Sequence, residues 1–95
     1  MGDLLITERA EEIRRIARQH GALRVRVFGS RARGEAITSS DLDLLVDFEP
    51  GRDLVDLIGL KQDLEQVLGC PVDVVEEEGL SPHLRQRVLE EARPL

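Results

Sequence analysis

The chain has 95 residues, 41% hydrophobic and 34% charged; this supports one modest core over residues 1–95, a single domain, and excludes a disordered tail. A net charge of -6 and only two aromatic residues, both phenylalanine, exclude a counterion-releasing nucleic-acid surface or a base-stacking platform. No apolar run approaches the roughly 20 residues that cross a bilayer, and no signal-peptide core opens the chain, so a cytoplasmic protein without membrane contact is expected.

Ile6, Ala10, Ile13 and Ala17 recur at helical spacing, with Thr7 as the candidate cap and Gly21 beyond the end, so the first element is an amphipathic helix. Leu23, Val25 and Val27 then alternate with Arg24, Arg26 and Phe28 and stop at Gly29, the pattern of a strand running into a turn. Residues 29 to 36 read as the start of a short helix, followed by the polar breaker Thr38-Ser39-Ser40. A second strand follows over residues 41 to 48. Its Leu42, Leu44, Val46 and Phe48 share one face, and Asp41, Asp43, Leu45 and Asp47 share the other.

Pro50-Gly51 ends that strand. Asp53 caps a helix whose Leu57, Leu60, Leu64, Val67 and Leu68 form a stripe before Gly69. Val72 to Val75 is a short third strand. Ser81-Pro82 opens a last helix with Leu84, Val88 and Leu89 on its apolar side. The fold class is therefore α/β or α+β, with a small mixed sheet of about three strands flanked by helices.

The residues with the most chemistry are Asp41 and Asp43, with Asp73 on the next strand. Two carboxylates two positions apart on a strand face the same way, about 6 to 7 Å apart at their α-carbons. Their oxygens suit one magnesium ion, which prefers hard oxygen ligands and completes its shell with water and phosphate. A third carboxylate permits a second ion. Asp73 lies between valines in a strand that reads as buried, where an ionised carboxylate needs a partner.

The second feature is Phe28-Gly29-Ser30-Arg31-Ala32-Arg33-Gly34. Glycine permits a tight turn close to a ligand, and the amides that follow present positive charge to phosphate. Arg31 and Arg33 are both candidates for bidentate contact with phosphate oxygens. Arg24, Arg26, Arg31 and Arg33 cluster just before the acidic run from 41 to 47. That contrast points to a polyanionic ligand with cations beside it.

Together, Gly29-Ser30-Arg31-Ala32-Arg33-Gly34, Ser40-Asp41-Leu42-Asp43-Leu44-Leu45-Val46 and Val72-Asp73-Val74 resemble the minimal nucleotidyltransferase family of the DNA polymerase beta superfamily. The resemblance spans nearly the whole chain and implies the polymerase-beta-like nucleotidyltransferase fold. It places triphosphate on Gly29 and Ser30, and one or two Mg2+ ions on Asp41, Asp43 and Asp73. It further implies an antitoxin that moves AMP from ATP onto a tyrosine of a HEPN-type toxin partner, in an assembly with that partner.

Two other readings stand beside it. A noncatalytic module could neutralise a toxin by covering it, with the nucleotide site vestigial. Transfer to a small molecule, as in antibiotic-modifying relatives, needs acceptor-binding structure for which this chain has no room. The remaining polar residues read as ordinary surface: Asp47, the run Glu76-Glu77-Glu78, His20, His83, Arg85 and Arg87. Cys70 reads as a small apolar filler, and one cysteine excludes an internal disulfide.

Overall fold

The computed structural model describes residues 3–37 and 40–95, so Thr38 and Ser39 of the expected breaker lie outside the described residues. The elements are α1 (Leu4–Gln19), β1 (Ala22–Phe28), β2 (Leu42–Phe48), α2 (Leu54–Leu68), β3 (Val72–Val75), a 3-10 turn (Glu77–Gly79), α3 (Pro82–Glu91) and β4 (Arg93–Pro94). They form a mixed four-stranded sheet in the order β3-β2-β1-β4. β1 is antiparallel to β2 and to β4, whereas β2 and β3 run parallel. The fourth strand carries no alternation signal because it is two residues long and one of them is proline.

α1 starts earlier than the hydrophobic stripe suggests, because Asp3 rather than Thr7 is its cap. One carboxylate oxygen of Asp3 accepts from the Leu5 and Ile6 amides at 2.9 and 3.3 Å, satisfying donors that the first turn leaves open. α2 opens with a capping box. Asp53 accepts from the Val55 amide at 3.0 Å, and Asp56 accepts from the Asp53 amide at 3.0 Å. It ends at Gly69, whose φ of 73° lies in the left-handed region that glycine adopts without penalty.

One face of the sheet is the core. Ile13, Ile16 and Ala17 of α1 and Leu60 and Leu64 of α2 pack with Ala22, Val27, Leu42, Leu44, Val46, Cys70, Val72 and Val74. Fully burying one such aliphatic side chain contributes roughly 1.5 to 3 kcal/mol. Leu23 departs from its expected inward position and is 69% exposed. The register shifts between Ala22 and Arg24, and a bulge of this kind leaves one residue outside the alternation.

The second face is less acidic than the strand pattern implies, since Leu45 is only 1% exposed. Leu45 and Val88 of α3 are both buried yet lie outside the cluster shared with α1 and α2. β3 is fastened to α2. Glu65 accepts from the Val72 amide at 3.0 Å and from Lys61 at 3.0 Å, and Lys61 also donates to the Val72 carbonyl at 2.8 Å. The Val72 amide, and then Lys61, hold the Glu65 carboxyl below its usual range. No helix among the described residues is long and apolar enough to cross a membrane.

Residues 29 to 36 do not form the expected helix. The Arg33 amide reaches the Gly29 carbonyl at 3.1 Å in a single helical turn, and Gly34, with φ 73°, ends it. Arg31 in this turn is the one buried charged residue among those described, 5% exposed. Its guanidinium donates to both oxygens of Asp3, at 3.1 and 2.9 Å, and to the Ser40 carbonyl at 2.8 Å. Removing one partner of a buried ion pair strands the other charge. Asp3→Ala also removes the α1 cap, so it is expected to lower stability by about 3 kcal/mol or more in denaturant unfolding; a loss below about 1 kcal/mol would refute the role given to this pair.

Candidate active site

The register of β2 and β3 places Asp43 directly beside Asp73. Neighbouring strands lie about 4.8 Å apart, and paired residues point to the same side of a sheet. That side is the one opposite the core, because Leu42 and Leu44, flanking Asp43, and Val72 and Val74, flanking Asp73, all belong to the core cluster. Asp41 stands exposed one residue before β2 begins. Asp43 also pairs with Phe28, the last residue of β1. The chain turns at Gly29 immediately afterwards.

Gly29 is required here for two reasons. Its φ is 77°, a conformation that side chains disfavour by roughly 1 to 2 kcal/mol. A Cβ at this position would also lie 2.1 Å from Oδ2 of Asp43. The turn and the carboxylate therefore meet without a side chain between them, a close approach that only glycine allows.

Burial pushes the Asp43 carboxyl up from its ordinary range, and the charges of Asp73 and Asp41 push it further, while Arg33 opposes them. Desolvation is the larger cause, and repulsion from the neighbouring carboxylates adds to it. A divalent cation would relieve that repulsion, and three carboxylates are the hard oxygen donors that magnesium takes. Asp73 itself is exposed rather than buried, because alternation turns only Val72 and Val74 inward. The case for a cation thus rests on Asp43, a partly buried carboxylate with the charges of Asp73 and Asp41 beside it, and not on the cost of burying Asp73. Among the described residues, no three acidic, imidazole or thiol side chains already converge into a metal cage.

The four arginines do not form a single patch. Arg24 pairs with Asp47 at 3.0 Å and Arg26 stands 4.0 Å from the same carboxylate, so Asp47 serves these cations. Arg31, expected as a phosphate ligand, is turned to Asp3 and Ser40 instead. Its guanidinium ties the Gly29 turn to the residue preceding Asp41. The charge of Arg33 acts on Asp43; Arg33 pairs with Glu35 at 3.1 Å and with Glu91 at 2.8 Å.

Glu91 escapes the sequence reading. It closes α3 beside Glu90 and looks like a solvated last turn, yet it accepts from the Gly29 amide at 3.0 Å, 62 residues away in sequence. No local spacing signals such a contact. His20 is likewise more than a surface histidine, for its ring meets Asp63 of α2 at 2.6 Å. A cavity of about 610 Å³ is lined by residues that include Leu4, Leu5, Ile37 and Cys70. None of the three aspartates borders it.

Comparison with known proteins places this chain among nucleotidyltransferases. Residues 10–95 match the model of the Nucleotidyltransferase domain. Over 87 residues the chain is 45% identical to a Methanocaldococcus jannaschii protein named as a protein adenylyltransferase, covering 92% of this chain and 94% of that one. It is 39% identical to the protein adenylyltransferase MntA of Thermococcus cleftensis, covering 92% of this chain and 85% of the relative. A solved minimal nucleotidyltransferase superposes with a TM-score of 0.83 at 57% identity, over 100% of this chain and 97% of that one. A toxin-antitoxin structure with AMP-PNP superposes with a TM-score of 0.77 at 26% identity, over 88% of this chain and 69% of that one.

The raised Asp43 carboxyl has a definite consequence for stability. A carboxyl raised by folding costs stability once it ionises, so the penalty is present at neutral pH and disappears as pH falls through the carboxylate range. Asp43→Asn is therefore expected to raise Tm at neutral pH by a few degrees, less than ~1 kcal/mol after solvent screening, and to have little effect at acidic pH. A lower Tm for the variant at neutral pH would contradict this.

Proposed function

We propose that this chain, which belongs to the nucleotidyltransferase domain family, transfers AMP from ATP to a hydroxyl of a HEPN-type toxin partner, with tyrosine as the acceptor, and so acts as an antitoxin. The observation that carries the reading is the pairing of Asp43 with Asp73 beside the Gly29 turn. Support also comes from the relatives named protein adenylyltransferase and from the toxin-antitoxin structure with AMP-PNP.

In this reading Asp41, Asp43 and Asp73 hold Mg2+, which when bound neutralises phosphate charge and stabilises the transition state of in-line displacement. Gly29 lets the triphosphate approach the backbone, and Ser30 and Arg33 contact its oxygens. Arg31 acts differently. It binds no phosphate but keeps the turn and the Asp41 segment in register through Asp3 and Ser40.

The acceptor oxygen forms a bond to the α-phosphorus as the bond to the bridging oxygen breaks, and pyrophosphate leaves. Asp73 takes the hydroxyl proton. It is exposed on β3, the edge strand of the sheet, so an acceptor carried on another protein reaches it without displacing an element of this fold. Positioning supplies most of the barrier reduction in such transfers.

The test is transfer of label from α-labelled ATP to the toxin in the presence of magnesium. Wild type is expected to label the toxin, and the double variant Asp41→Asn, Asp43→Asn to lose at least about 100-fold in rate, some 2.7 kcal/mol of transition-state stabilisation. Equal labelling by the two proteins would refute the site. If the double variant still neutralises the toxin, binding rather than chemistry is the protective act.

A further inference from the structure

Outside the three aspartates, one group holds a position that the transfer reaction does not explain, the carboxylate of Glu91. One of its oxygens, Oε1, accepts from both the Gly29 amide at 3.0 Å and Arg33 Nη1 at 2.8 Å. Arg33 is a donor that the proposed function gives to triphosphate, and the Gly29 amide lies in the backbone that the triphosphate approaches. Glu91 also adds a third negative charge beside Asp43, after Asp73 and Asp41.

We propose that Glu91 is a placeholder for a nucleotide phosphate: its carboxylate occupies the Gly29 and Arg33 donors in the free protein, and a nucleoside triphosphate binds by displacing it. This rests on the nucleotidyltransferase reading and deepens it by naming the residue that competes with substrate. A carboxylate imitates phosphate in charge sign and hydrogen-bond acceptance, but carries less charge and fewer oxygens. Phosphate therefore wins the shared donors once the aspartates are neutralised by a cation.

The position of Glu91 fits an exchangeable group. Its side chain is 26% exposed, and it is the last residue of α3, a helix that buries only Val88. Release needs a side-chain rotation into solvent and no unfolding of the core. The placeholder also keeps the turn ordered before substrate arrives, since the Gly29 amide and the Arg33 guanidinium are both satisfied.

Three variants separate contact from charge in calorimetric titrations of the folded protein with AMP-PNP and magnesium. Glu91→Asp keeps the charge but shortens the reach, Glu91→Gln keeps the reach but weakens the acceptor, and Glu90→Gln removes a neighbouring charge that does not touch the turn. Both Glu91 variants are expected to bind AMP-PNP about threefold to tenfold more tightly than wild type, and Glu90→Gln within about twofold of it. Unchanged or weaker binding by Glu91→Asp and Glu91→Gln, with wild type still binding, overturns the placeholder and leaves the function intact. Equal tightening by Glu90→Gln overturns it too, by reducing the effect to general charge. Loss of transfer rate in Glu91→Gln at unchanged affinity would make Glu91 a reacting group and likewise overturn the proposal. Failure of wild type to bind AMP-PNP overturns both this proposal and the nucleotidyltransferase reading.

Discussion

The parallel pairing of β2 with β3 sets Asp43 beside Asp73, and the surrounding elements keep those two carboxylates on the side of the sheet away from the core. α2 makes the parallel pairing possible, since such strands need a crossover between them. Leu60 and Leu64 anchor that crossover in the core, and Glu65 with Lys61 fastens its last turns to the first residue of β3. A slip of one residue in this pairing would send Asp73 into the core and a valine to the carboxylate cluster.

The turn after β1 complements the pair from the other side. Gly29 brings backbone against Asp43, and its two arginines have opposite fates. Arg31 faces inward and connects the α1 cap to Ser40, so the segment leading to Asp41 is braced by a buried charge. Arg33 faces outward beside Asp43, and Glu91 holds it there. Charge in this small acidic protein is thus sorted by position: one cation is structural, one is presented at the site, and Arg24 and Arg26 answer Asp47.

Much of this was legible in the order of residues. The alternation from Leu42 to Phe48, the Asp53 cap, the Gly69 stop and the β3 valines each follow from local rules that tertiary contacts reinforce. What local rules miss is long-range. The spacing of Arg31 and Arg33 cannot say which guanidinium turns inward, because Asp3 lies 28 residues from Arg31. The same applies to Glu91 and its contact with Gly29. Leu45 is buried on the acidic face, which period-two patterning does not foresee. The apolar stripe from Ile6 points to Thr7 as the α1 cap, whereas the cap is Asp3, three residues before that stripe.

The central claim is that Asp41, Asp43 and Asp73 share a divalent cation next to the Gly29 turn. Anomalous diffraction from crystals soaked in manganese, which substitutes for magnesium at oxygen sites, tests it most directly. The account predicts a peak within coordination distance of the Asp43 and Asp73 carboxylates. Manganese bound only at other carboxylates, such as Asp47 or Glu76 to Glu78, would contradict it.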